Sequence, residues 1–426
     1  MPIDKLVVRN FKGIAERQEF DIKPITLFIG PNSSGKSSCI HALAALAQTV
    51  KLANSKLPIV LDDEYAQVHL GRFIEVIHSK LYTDSFDIGI ALNKVGGSIR
   101  FGKELELVGK NDRLDVSYTF KSTKRTQDTF LEKAAIKIGS SSLMYQIKPK
   151  EPVYRVQLAG KEVKAAVSSR GGLRFEFRPI ESKLDEESNK TFFHAFILNE
   201  SVSDIVASEL RRTLYLGPFR QSPLRRYPTR GAAPFEVGPQ GESAITLMAN
   251  EYVQSRTRLH INQVSKWISM LGLAKQVEIS RVGKSDLFSV NATLADGVSL
   301  PIADLGYGVS QVLPVLAQCS FARTGSTLLF EQPELHLHPA AASKLATVFA
   351  EAVKQKDLRI VAETHSRELF AQLFTELREG RISVDDISAY EVLRSDGKST
   401  FKKIQIEKDG DHYEVYDPWH KGICEY

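Results

Sequence analysis

The 426-residue chain is long enough to bury more than one core, and its 42% hydrophobic and 25% charged residues exclude a fibrous or wholly disordered protein. No run approaches the roughly twenty consecutive apolar residues of a membrane-spanning helix, and no basic-plus-apolar secretory signal opens the chain, so a cytoplasmic protein with no membrane partner is expected. The net charge of +5, from 56 basic and 51 acidic side chains, is too small to demand a nucleic-acid partner, and Cys39, Cys319 and Cys424 are too scattered for a C-x-x-C pair.

Residues 5–11 alternate as a strand, and after a turn at Gly13 residues 14–20 are predicted to pair with them. Pro24 precedes the apolar, β-rich run 25–29, suited to a buried parallel strand, and a helical pattern runs from 36 to about 50. Residues 86–180 break into strand-like stretches at 86–92, 114–120, 153–158 and 173–177, punctuated by Gly96-Gly97, Asn111-Asp112 and Gly171-Gly172, so an antiparallel β insertion is predicted. Helical patterns return at 193–213 and 240–272, too short in heptads for a coiled-coil arm. The last third alternates helix 310–323, strand 326–330, helix 339–354, strand 358–363 and helix 367–377, the order of a parallel α/β unit. Strands at 389–393 and 401–406 then lead to an irregular Trp-containing tail, 419–426. Four parts are expected: 1–85, a β-rich insertion at 86–190, a helical subdomain and linker at 191–300, and 301–426.

Between the run 25–29 and the following helix stands Gly30-Pro31-Asn32-Ser33-Ser34-Gly35-Lys36-Ser37, a G-x-x-x-x-G-K-S loop in its strand-to-helix setting. Gly30 and Gly35 let the backbone fold tightly, so that N–H groups from Asn32 through Ser38 and the positive helix end meet phosphate oxygens. Lys36 is expected to reach the β- and γ-phosphates of ATP and Ser37 to hold Mg2+. Two further apolar strands end in acidic or polar strings: Glu331-Gln332-Pro333-Glu334, a Walker-B-like placement of Glu331, and Glu363-Thr364-His365-Ser366. A Gly-rich turn, Asp304-Leu305-Gly306-Tyr307-Gly308-Val309-Ser310-Gln311, opens a helix ahead of both.

With Val8-Arg9-Asn10-Phe11-Lys12-Gly13 at the start, this order of motifs resembles the ABC-type ATPase heads of the SMC, RecF and OLD superfamily over about residues 1–85 and 210–420. Within it, Gly306 through Pro314, Glu331 through Pro339 and Leu216-Gly217-Pro218-Phe219-Arg220 look like the stand-alone OLD-like ATPases of anti-phage systems such as Septu, PARIS and retron modules. The resemblance implies an α/β ABC-type P-loop head with a mixed sheet, an antiparallel β insertion and a helical subdomain. It also implies a homodimer or higher homo-oligomer in which ATP on one chain is capped by Gly308, Ser310 and Gln311 of another, with His365 sensing the γ-phosphate. Gln67 falls where such heads carry a Q-loop, and is equally well an ordinary surface residue.

In those heads the usual pair is Asp then Glu, the first near Mg2+ and the second polarising water. The resemblance thus makes Glu331 a second Mg2+ group, but the next position reads Gln332, and a neutral amide can orient water but cannot take its proton. Either Glu334 takes over as base, hydrolysis is slow, or Gln332 is a substitution that traps the ATP-bound state; native divergence ranks first. His336 and His338 form an H-x-H pair without the further donors of a zinc site, and a structural turn is expected there. Arg211, Arg212, Arg220, Arg225, Arg226 and Arg230 crowd one segment that could touch DNA or RNA, though an ion-paired face is the commoner outcome. Lys121, Lys124 and Arg125 read as an exposed loop. The stretch after His365 is too short for an acidic TOPRIM nuclease domain, so the expected role is a sensor or scaffold ATPase controlling a separate effector, nuclease or toxin. A RecF-like DNA-repair ATPase is the alternative.

Overall fold

The computed structural model describes residues 2–52, 55–95, 99–101, 105–108, 112–139, 141–148, 151–158, 160–180, 185–228, 234–409 and 412–425. In chain order its elements begin β1 (Ile3–Arg9), β2 (Gln18–Asp21), β3 (Ile25–Ile29), α1 (Ser37–Lys51), α2 (Phe73–Val76), β4 (Ser85–Val95), β5 (Ile99–Phe101), β6 (Leu105–Val108) and β7 (Asp112–Ser122). There follow β8 (Thr129–Ile138), β9 (Ser141–Lys148), β10 (Glu151–Leu158), β11 (Lys161–Gly171), β12 (Arg174–Pro179), α3 (Glu186–Leu210), β13 (Thr213–Leu216), β14 (Tyr227–Pro228), α4 (Ala244–Gln254) and α5 (Leu259–Met270). The remainder is β15 (Gln276–Arg281), β16 (Leu287–Thr293), β17 (Ser299–Pro301), α6 (Tyr307–Phe321), β18 (Thr327–Glu331), α7 (Pro339–Lys356), β19 (Arg359–Thr364), α8 (Arg367–Arg378), β20 (Ile387–Ser395), β21 (Lys398–Lys403), β22 (Ile406–Asp409), β23 (His412–Asp417) and β24 (Gly422–Glu425). The architecture is mixed α/β.

Two units result. The first comprises Met1–Ile22, Asn32–Thr213 and Leu393–Phe401. Its frame is a nine-stranded sheet in the order β12-β11-β10-β9-β8-β7-β4-β1-β2. Inward and outward residues alternate as the pleat requires: on β7, Leu114, Val116, Tyr118 and Phe120 are buried while their neighbours are not. Helix α3 lies on the β9–β12 end of this sheet. Asp185 caps it by accepting from Ser188 N at 2.7 Å. Its one buried amide, Asn199, is satisfied by Tyr145 Oη at 3.3 Å and Phe175 O at 2.7 Å, which removes the cost of an unpaired polar group. Helix α1 in turn organises the irregular stretch after it, because buried Gln48 donates to Val60 O at 2.8 Å and accepts from Val68 N at 2.9 Å.

The N-terminal hairpin and the β-rich segment, expected as separate parts meeting near residue 85, share this one sheet. Strand β4 runs antiparallel to β1 with Leu6 opposite Ile90 and Val8 opposite Ile88. Each strand's alternation was readable, but alternation names a face and not a partner. The Gly171-Gly172 turn forms between β11 and β12, with φ of 85° and 62°. Gly96-Gly97 and Asn111 lie outside the described residues.

The second unit comprises Lys23–Pro31, Leu214–Val392 and Lys402–Tyr426. Strands β18, β19, β3 and β20 are parallel neighbours, with β13 beyond β18. Both β3 and β18 are buried at every position, as apolar runs covered on two faces should be. Ser366 caps α8 by accepting from Leu369 N at 3.1 Å. That cap is worth about 0.5–2 kcal/mol, whereas burying Leu369, Phe370, Leu373, Phe374 and Leu377 contributes about 1.5–3 kcal/mol each, so packing holds this helix in place.

Two expectations change here. The predicted helical subdomain and linker at 191–300 contains a small antiparallel sheet, β14-β16-β15 with β17 on β16. Its period-two signal, Val277 and Ile279 then Phe288, Val290 and Ala292, is all buried. The tail is also not irregular: β22, β23 and β24 form a three-stranded sheet. Among the described residues no helix is long and apolar enough to cross a membrane.

Candidate functional site

In the second unit, parallel register delivers three of the strings singled out in the sequence to one edge. Ile29 stands level with Thr364, and Glu331 level with Glu363, so Gly30, Glu331 and His365 leave the sheet at the same end. The C-terminal edge of parallel strands is where α/β sheets bind ligands.

Glu331 is 5% exposed, and Tyr215 Oη donates to its Oε1 at 2.7 Å. Burial, then the Glu331 charge and hydrogen bond, raise the Tyr215 phenol well above its ordinary range, so it remains a donor. The next residue, Gln332, has φ of 46°, a left-handed backbone that costs a non-glycine residue energy. Three bonds hold that turn: Gln332 N donates to Glu363 O at 3.1 Å, and Arg220 Nη2 donates to the carbonyls of Glu331 and Gln332, both at 3.0 Å. Burial lowers Arg220 to about 10 against the opposing pull of Glu334 and Glu331, which leaves it charged at neutral pH. Its Nε and Nη1 are buried without a hydrogen-bond partner.

Glu334 is anchored on one side only. Its Oε1 accepts from Thr364 Oγ1 at 2.7 Å and from His365 N at 2.9 Å, while Oε2 is buried without a partner. Gln332, Glu334 and His365 line one cleft of about 270 Å³, with His336, Ser366 and Glu368. His338 has the structural role expected of it: its Nδ1 accepts from Ala340 N at 3.3 Å at the start of α7, and Pro339 follows at the first helical position.

At the Gly-rich turn, Tyr307 is 61% exposed, whereas Ser310 and Gln311 are buried. Ser310 Oγ donates to Tyr307 O at 3.0 Å. Pro314 lies inside α6 and supplies no N–H to the Ser310 carbonyl one turn back, which loosens the first turn. Beside Gly308 there is room: an added Cβ would meet nothing nearer than 3.6 Å, so neither sterics nor φ requires glycine there within the chain.

The phosphate loop passes into the first unit after Pro31. Ser33 and Gly35 take φ of 62° and 98°. Ser399 Oγ donates to Ser34 O at 2.6 Å, and Arg394 Nη1 to Ser33 O at 3.3 Å, so the β20–β21 turn braces the loop. Asn32 and Ser33 are exposed, Ser34, Lys36 and Ser38 are buried, and the first turn of α1 carries no acidic residue against the helix dipole. Ser34 Oγ is buried without a hydrogen-bond partner. Gly35→Ala is expected to destabilise the fold by about 2 kcal/mol or more, because it adds left-handed strain to a Cβ placed 2.1 Å from Ser399 Oγ. Gly160→Ala, with positive φ but open space, should cost less; chemical denaturation of both variants checks this.

The crowded arginines do not act alike. Arg220 is buried, Arg225 forms a two-pronged pair with Asp304 at 2.8 and 2.5 Å, and Arg230 lies outside the described residues. Lys124 and Arg125 are exposed as expected, while Lys121 pairs with Glu132 at 3.0 Å. Gln67 sits in the stretch organised by Gln48, with no regular element of its own. Sequence reasoning missed Tyr215, Glu363 as a partner of Gln332, and Ser399. Tyr215 directly precedes the Leu216-Gly217-Pro218 string, the only available cue; Ser399 carried none.

Residues 1–204 match the family model described as "AAA ATPase domain". Residues 211–371 match the one described as "AAA domain, putative AbiEii toxin, Type IV TA system". Each covers less than half of the chain, and both are to ATPase domains of the AAA type, to which the chain is similar. No curated protein matches the sequence. Among solved structures, the chain is similar to an SMC head bound to the C-winged helix domain of ScpA, at 12% identity over 96% of this chain and 98% of that one, with a TM-score of 0.46. An SMC head domain from Thermotoga maritima gives 11% identity, 95% and 100% coverage and a TM-score of 0.41. An SMC head with an extended coiled coil, bound to a ScpA C-terminal domain derived from Pyrococcus furiosus, gives 11%, 95% and 96%, and 0.43.

Proposed function

We propose that this chain is an ATPase that grips MgATP with residues 30–37, hydrolyses it slowly, and uses ATP occupancy to control a separate effector in anti-phage defence. The observation that carries the ATP reading is the loop itself: a G-x-x-x-x-G-K-S string that leaves the ligand-binding edge of a parallel sheet and opens an uncapped, acid-free helix start. Lys36 neutralises the terminal phosphates, Ser37 and Glu331 hold Mg2+, and Asn32, Ser33, Ser34, Gly35 and Ser38 supply the cradle. Glu334 is the base and Gln332 orients the water. The one-sided anchoring of Glu334 supports this division, since it leaves one carboxylate oxygen for a proton. His365, whose N–H holds Glu334, reports the γ-phosphate to the start of α8.

The chain works as a homodimer or higher homo-oligomer, with Gly308, Ser310 and Gln311 of one copy meeting ATP on another. The space around Gly308 and the exposure of Tyr307 support a close approach from outside the chain. The toxin–antitoxin wording of the family matched by residues 211–371 favours a defence role. Gly308→Glu tests the pairing: the monomer's melting temperature should not move, while ATP-dependent dimerisation followed by light scattering should weaken about tenfold or more, because a carboxylate would face phosphate. Undiminished dimerisation would remove Gly308 from the interface.

A further inference from the structure

We infer that the turn joining β23 to β24 is a site for a zinc-class divalent cation, with Asp417, His420 and Cys424 as its ligands. The three residues follow a D-x-x-H-x-x-x-C spacing, and antiparallel pairing of Asp417 with Gly422 folds the turn so that their donor atoms converge. Asp417 Oδ2 lies 3.2 Å from His420 Nδ1 and 3.9 Å from Cys424 Sγ, and 3.6 Å separates the ring nitrogen from the sulfur. Zinc binds carboxylate, imidazole and thiolate at about 2.0–2.3 Å, so a tetrahedral set places such donors about 3.3–3.6 Å apart. The observed separations are close to those of ligands around one point.

The donors are also prepared chemically. Asp417 is fully buried, and its Oδ1 accepts from the backbone N–H groups of Trp419 at 2.8 Å and His420 at 3.3 Å, which turns Oδ2 toward the ring and the thiol. Arg367, the first residue of α8, donates from Nε to Asp417 Oδ2 at 2.9 Å and from Nη2 to His420 Nδ1 at 3.0 Å. A guanidinium only donates and a carboxylate only accepts, so Nδ1 meets Arg367 as a lone pair when the ring proton sits on Nε2, the tautomer a metal ligand needs, and meets Asp417 Oδ2 as an N–H in the other. That lone pair serves one partner at a time. The Arg367–His420 bond and the cation are therefore alternatives, and in either state the buried Asp417 carboxylate faces positive charge. Binding releases the Cys424 thiol proton to solvent, which His420, with a side chain 56% exposed, leaves within reach. Thiolate and imidazole select zinc-like ions over the Mg2+ that serves ATP.

The experiment uses untagged full-length protein, stripped with a chelator and titrated with Co2+ alone and then with Zn2+. One equivalent of Co2+ should bind with a thiolate-to-cobalt absorption band that Zn2+ abolishes. Cys424→Ser should lose that band, and His420→Ala should weaken Zn2+ binding about tenfold or more, with circular dichroism of both half-exposed variants unchanged. Arg367→Gln, lacking the competing cation, should bind Zn2+ several-fold more tightly. Absence of stoichiometric uptake, a band that survives in Cys424→Ser, or weaker uptake in Arg367→Gln would overturn the assignment. Cys39 and Cys319 are buried elsewhere and offer no substitute thiol.

Discussion

Lys36→Ala is expected to weaken MgATP binding about 100-fold or more while the protein stays folded. Lys36 is 4% exposed, directly before α1, where its ammonium and the helix end act on the same anion. Loss of charge-assisted bonds to phosphate, at about 1.5–3 kcal/mol each, corresponds to a factor of ten to a hundred per bond. Lys36→Arg should recover little, since a planar fork does not reproduce a point charge inside a tight loop. Titration with a fluorescent ATP analogue, beside a thermal melt of each variant, makes the measurement. Wild-type affinity in Lys36→Ala would sink the ATP assignment of the loop.

Glu334→Gln should lower phosphate release about 10²–10⁴-fold, the usual contribution of a general base, and leave ATP affinity within about threefold. The amide keeps an acceptor for Thr364 Oγ1 and His365 N, so the Glu331–Glu334 turn keeps its shape while the proton acceptor is lost. Gln332→Ala removes a water-orienting group only and should cost about tenfold. If Gln332→Ala proves the more damaging change, Glu334 is not the base. Glu334→Gln should also accumulate the ATP-bound dimer, which light scattering would register.

The elements that build the candidate site were legible in sequence for a local reason. Strands β3, β18 and β19 are buried on both faces and so read as unbroken apolar runs, while α7 and α8 show a one-sided period with Pro339 and Ser366 marking their starts. Glu331, Glu334 and His365 could be named because each lies within a few residues of such a run. The small sheet of β14–β17 and the β22–β24 tail were not recognised, since short alternating stretches carry little signal without their partners.

Motif and period are properties of neighbours along the chain, and they determined the phosphate loop, the strand-to-helix order and the acidic strand ends. Contacts between distant segments belong to tertiary structure alone. It decided that β4 joins β1, that Tyr215 and Arg220 hold the turn at Glu331 and Gln332, that Ser399 braces Ser34, and that Arg367 reaches Asp417 and His420. In each case the partner is chosen by packing, through residues whose own sequence surroundings give no sign of the contact they make.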